Sequence, residues 1–199
     1  MFKNIKKHMQ LYLFIIILFI TSSGVFAADR LINSPTAEMA GKSGFLAGEV
    51  DYNQNYLFRG MYNLSPWLGV GARYDGYNPE LMAKMLFVSE GNNSPAVAAG
   101  MEADDLYFVF SKGIAFGLSG HVGYGSGSME GPFFGLDKRI NPISFSDGNG
   151  LSLPPTSIRG EYINNQINLG VEMRILSGLN INFAVEDFNS VRGGVNMKF

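Results

Sequence analysis

The chain contains no cysteine among its 199 residues, which excludes a disulfide framework and any thiol chemistry. Histidine is nearly as scarce: His121 is the only one after residue 27, so no histidine pair exists to hold a metal. The acids lack the D-x-[DN]-x-[DN]-G spacing of a calcium loop, and no serine sits in a G-x-S-x-G elbow. Positive charge is also in short supply. Without residues 1–27 the chain keeps 12 basic and 17 acidic residues, a net charge of −5, where a nucleic-acid binder wants a basic stripe. No run after residue 27 approaches the ~20 continuous apolar residues of a spanning helix, and no clean helical period appears. No metal, cofactor, nucleic-acid partner or enzymatic activity is expected.

What the chain does have is alternation. Ile167, Leu169, Val171, Met173 and Ile175 interleave with polar residues or glycine. Leu179, Ile181, Phe183 and Val185 follow the same rule, as do Val191, Val195, Met197 and Phe199. A period of two gives each strand one apolar and one polar face. Similar runs begin at Gly44 and recur every 8–13 residues, separated by turns such as Asn63–Pro66, Gly76–Pro79 and Glu90–Ser94. The 25 glycines, 16 phenylalanines and 9 tyrosines suit many short, tightly turned strands.

The N-terminus reads as an export signal. Lys3, Lys6 and Lys7 precede the apolar run Leu11–Ile20, and Val25-Phe26-Ala27 offers a cleavage site before Ala28. Residues 1–27 are therefore expected to be a signal peptide cleaved after Ala27, with an uncleaved membrane anchor as the alternative. Residues 28–43, interrupted by Pro35, form an extended lead-in or partial plug. Residues 44–199 form an all-β domain: an antiparallel transmembrane up-and-down β-barrel of roughly twelve strands, with ten to fourteen open. The expected location is the outer membrane, with outer-membrane lipid and the barrel-assembly machinery as partners. Val195, Met197 and the terminal Phe199 are the expected C-terminal assembly signal.

The polar faces carry Glu49, Asp51, Arg73, Asp75, Glu102 and Arg159, and then Glu161, Glu172, Arg174, Glu186, Arg192 and Lys198. Turned inward, these mixed charges would line a salt-bridged lumen. Turned outward, they would be the solvated face of a secreted β-sandwich, the competing fold. Tyr52, Tyr56, Tyr62, Tyr74, Tyr77, Tyr107, Tyr124 and Tyr162 lie mostly near strand ends, where interfacial girdles belong, and Trp67 opens a strand as an anchor would.

Other features have bland readings. His121 shares a strand face with Ser119, and a hydrogen-bonded lumen histidine accounts for it better than catalysis. Gly123–Ser128 lacks the lysine and helix of a phosphate loop. The pairs Arg159/Glu161 and Glu172/Arg174 suit a neutralised lumen rather than glycoside hydrolysis. Lys138–Thr156 is the one long connection, marked as functional or mobile by its length. Its apolar Ile143, Phe145, Leu151 and Leu153 could form a lid or face a partner.

Several short motifs occur in a characteristic order. Leu31-Ile32-Asn33-Ser34-Pro35-Thr36-Ala37-Glu38 precedes Gly44 and a first strand; Pro95–Met101 precedes an aromatic strand ending in Ser111-Lys112. Then come Gly123-Tyr124-Gly125, Phe133–Asp137 and Gly160-Glu161-Tyr162. In this order they resemble YjbH-like outer-membrane proteins. The resemblance implies an outer-membrane barrel linked to exopolysaccharide production or export, with polysaccharide or export components as partners. Long members of that family have more than one barrel-like region, whereas this chain has room for one. The expected function is thus a non-enzymatic accessory barrel for surface or exopolysaccharide functions. A small porin-like channel and a soluble β-sandwich binding module are the alternatives.

Overall fold

The structure is a computed structural model that describes residues 30–141, 145–146 and 152–199. The expected signal peptide lies outside the described residues, as do Ile143, Leu151 and the side chains of Phe145 and Leu153.

The strands are β1 (Gly44–Asp51), β2 (Tyr56–Ser65), β3 (Leu68–Tyr74), β4 (Pro79–Val88), β5 (Ala96–Glu102), β6 (Asp105–Ala115) and β7 (Leu118–Gly125). They continue with β8 (Gly131–Asn141), β9 (Phe145–Ser146), β10 (Ser152–Leu153), β11 (Thr156–Ile163), β12 (Gln166–Leu176), β13 (Leu179–Glu186) and β14 (Ser190–Lys198). Twelve of them form one closed antiparallel sheet in sequence order, sealed where β1 pairs with β14 from Phe45↔Lys198 to Asp51↔Arg192. The short pair β9–β10 stands apart as its own hairpin. Among the described residues no helix is long and apolar enough to cross a membrane.

Barrel strands run from seven to eleven residues. At ~3.3 Å per residue and a tilt of about 40°, they supply roughly 18–28 Å of height, matching the ~25 Å apolar band of a membrane barrel. Closure leaves no unpaired edge, the condition for a sheet to reside in hydrocarbon.

The barrel is apolar outside and polar inside. Along β6, Leu106, Phe108 and Phe110 are exposed, while Asp105, Tyr107, Val109 and Ser111 are buried. Along β12, Ile167, Leu169 and Val171 are exposed, and Asn168 and Glu172 are buried. A continuous exposed belt of this kind is foreign to a soluble monomer, and the single closed sheet has no second layer, so the sandwich alternative falls.

Two local expectations are corrected. Tyr107 is buried inside, not at an interface, because the two-residue period of β6 places it on the face of Asp105 and Val109. Phe116 sits with Gly117 in the turn between β6 and β7, at φ 51° and 74°. The long connection is shorter than Lys138–Thr156, because β8 remains in register with β7 at Leu118↔Lys138 and with β11 at Thr156↔Asn141.

Candidate functional site: an occupied, charge-lined lumen

Residues 30–43 run along the inside of the barrel. They lack a strand period, and side chains of the barrel satisfy much of their backbone instead. A tight turn, with the Leu31 N–H donating to the Ser34 carbonyl at 3.0 Å, aims successive N–H groups at one carboxylate. Glu161 on β11 accepts from the backbone N–H of Ile32 (3.2 Å), Asn33 (2.8 Å) and Ser34 (2.8 Å), from Ser34 Oγ (2.6 Å) and from Asn168 Nδ2 (2.8 Å). The five donors are neutral, so a nest of dipoles holds this charge. Two wall glycines shape the seat. A Cβ at Gly135 would lie 2.0 Å from Leu31 Cδ1, and one at Gly170 3.1 Å from Ile32 Cδ1. Further along, the Ala37 N–H donates to Ser111 Oγ at 2.7 Å and Lys84 Nζ donates to the Glu38 carbonyl. Ala37 and Ala40 also join two apolar clusters on the inner wall, around Val109 and Phe133 and around Phe45 and Met61.

Around this segment the charges are cross-linked. Arg159 bonds Asp137 Oδ2 at 2.9 Å, Glu172 Oε1 at 2.8 Å and the Leu31 carbonyl at 3.1 Å. Arg59 pairs with Glu49 at 2.7 Å, and Arg192 bridges Glu186 at 3.0 Å and Glu49 at 3.4 Å. Arg30 pairs with Glu102, which Arg73 approaches to 3.5 Å. Ions buried this deeply are tolerated only when paired and hydrogen-bonded. The Glu38 carboxyl, in the lead-in, is pushed above the ordinary glutamate range by burial, an effect that Lys84 partly offsets. Cavities of about 30 and 40 Å³ flank the segment, one beside Arg30, Glu49 and Arg192, the other beside Glu38, His121 and Asp137. Each has room for only a few waters.

The residues singled out in sequence are distributed as follows. Glu49, Glu102, Arg159, Glu161, Glu172 and Lys198 are buried within the barrel; Arg73, Arg174, Glu186 and Arg192 are half-buried. Asp51 and Asp75 stand at the rim, Asp51 accepting from the Asn55 N–H at 2.9 Å and Asp75 from the Tyr77 N–H at 3.1 Å. Arg159 pairs across strands with Glu172, leaving Glu161 to the lead-in. His121 meets Ser111 rather than Ser119, with Nδ1 2.8 Å from Ser111 Oγ across the β6–β7 ladder. Val195 is exposed, Met197 buried and Phe199 half-buried; the Phe199 carbonyl accepts from the N–H groups of Ser43 (2.8 Å) and Gly44 (3.1 Å). Sequence reasoning did not place Arg59, Lys84, Ser111, Asp137 or Asn168 in the lumen, although each lies on the inward parity of its strand.

No family model matches the chain, and no curated protein sequence matches it. Among solved structures it is similar to the KdgM porin, at 12% identity over 79% of this chain and 99% of that one, with a TM-score of 0.49. A KdgM porin in complex with disordered oligogalacturonate gives 12% identity over 79% and 99%, and a TM-score of 0.45. The Acinetobacter baumannii outer membrane protein Omp33 gives 10% identity over 81% and 100%, and a TM-score of 0.44.

Proposed function

We propose that the protein is a small outer-membrane barrel acting as a narrow porin-like channel, and that residues 30–43 close its lumen. One observation carries this reading. The lead-in fills a closed twelve-strand barrel while belonging to none of its ladders, and it is held by side-chain hydrogen bonds and two glycine sockets. Barrels of eight strands are filled by their own side chains and those of sixteen enclose a channel. At twelve, the occupancy of the interior decides whether ions pass. The outward apolar belt supports residence in a lipid bilayer, and export to the outer membrane would require removal of residues 1–27. The reading is non-enzymatic: Ser111 Oγ is engaged by both His121 and the Ala37 N–H, under the lead-in.

Single-channel recording of the purified protein tests this. Gly135→Leu would fill the Leu31 socket and displace the lead-in, and should raise conductance or open time well above wild type. A folded Gly135→Leu barrel that passes no current would remove the channel reading. The exopolysaccharide role rests on motif order alone; an unchanged extracellular polysaccharide level in a strain lacking the protein would count against it.

A further inference from the structure

Antiparallel connectivity sorts the charges of this barrel by end. The end opposite Gly44 and Lys198 is acidic. Its turns carry Asp75, Asp104, Glu130 and Asp187. Asp51, Glu102 and Glu186 are the last residues of β1, β5 and β13, which arrive at this end, and Asp105 is the first residue of β6, which leaves it. The cations near this end are already engaged: Arg73 with Glu80 and Glu102, Arg192 with Glu49 and Glu186, Arg30 with Glu102. Among the described residues the opposite end reverses the sign: Arg139, Arg174 and Lys198 lie in the last residues of β8, β12 and β14, and Lys42, Lys112 and Lys138 lie toward the same end. The acids described at this end are fewer: Glu90, which pairs with Lys112 at 3.3 Å, Glu38, which lines one cavity with Arg139 and Lys198, and the deeper Asp137 and Glu172, which pair with Arg159.

We propose that the lumen is a charge-polarised conduit that conducts unequally in its two directions, admitting small cations at the acidic mouth and small anions at the basic one. The proposal rests on the channel reading. Fixed charge in a narrow, low-dielectric passage sets which counter-ion is concentrated beside it. With the acidic mouth positive, cations are driven into the half that concentrates them and anions enter from the other end, so carriers accumulate and the current rises. With the voltage reversed, both carriers are drawn outward and the lumen is depleted.

Current–voltage curves of the wild type and of Gly135→Leu, in symmetric potassium chloride, provide the test. The Debye length is about 10 Å at 0.1 M and about 3 Å at 1 M. Current should therefore be asymmetric at the lower concentration and near-symmetric at the higher. Orientation can be fixed with Tyr77→Cys, a unique thiol in the exposed turn at the acidic end, by adding a charged thiol reagent to one compartment. The larger current should flow when that compartment is positive. Neutralising the turn acids with D75N, D104N, E130Q and D187N together should reduce the asymmetry and leave the 1 M conductance unchanged. A conducting channel with symmetric current at 0.1 M, or asymmetry untouched by the four substitutions, overturns the polarity alone. No current from either protein overturns the channel reading and the polarity with it.

Discussion

Arg159 is the side chain whose loss should cost most, because the buried Glu172 carboxylate, the half-buried Asp137 carboxylate and a lead-in carbonyl all depend on it. Arg159→Met would leave Glu172 buried and Asp137 half-buried without their cation, and breaking a buried pair from one side costs roughly 3–5 kcal/mol. The urea midpoint, read through the single Trp67, should fall accordingly, and adding D137N and E172Q should recover much of it. Glu38 responds to pH instead. Its carboxyl is raised by burial while Lys84 on β4, Arg139 and Asp137 on β8, and Glu90 after β4 also act on it. The seated segment therefore binds this proton more tightly than a displaced one would. That contribution is full below the ordinary glutamate value and is lost as pH rises through the elevated one. Wild-type open time should increase with pH across this window, and Glu38→Gln should remove that part of the response. A pH dependence identical in both proteins would exclude Glu38 as its source.

Turns set the register of the strands, and two of them hold a phenylalanine in the left-handed region, Phe116 and Phe188. Phe116 and Gly117 both have positive φ, the geometry of a two-residue type I′ turn, and Phe116 is 94% exposed. A bulky residue there costs about 1–2 kcal/mol relative to one that tolerates the left-handed region. Phe116→Asn gives the Asn-Gly pair this turn favours and should raise the midpoint of thermal unfolding; no change would mean that the ring makes a compensating contact. The corresponding turn Asn164–Asn165, also at positive φ, uses a residue type that tolerates the left-handed region. Strand alternation was legible in the sequence, most clearly in β12 to β14, where nearly every second residue is apolar. What sequence could not convey was pairing across elements. Ser111 and His121 meet only through the β6–β7 register, and Glu161 takes four of its five donors from residues 127 to 129 positions away. The lead-in has no period, so its path through the lumen leaves no local signature.

At the scale of the molecule, barrel and lead-in should be separable. The ladder closes through β1 and β14 without any contribution from residues 30–40, so deleting them should preserve a barrel whose gel migration differs between unboiled and boiled detergent samples. Stability should nevertheless fall, because Glu161 would lose four of its five donors and keep only Asn168. A carboxylate left short of partners carries a desolvation penalty of order 1–3 kcal/mol, more for a full charge. Part of that penalty would be relieved by water entering the emptied lumen. Combining the deletion with Glu161→Gln should therefore recover stability only modestly, whereas Glu161→Gln in the intact chain should weaken the seat and increase conductance. If the deletion abolishes the gel shift in both backgrounds, the lead-in is a structural core of the barrel and cannot serve as its closure. If the shift survives and conductance rises, the barrel is the frame and the lead-in its removable stopper.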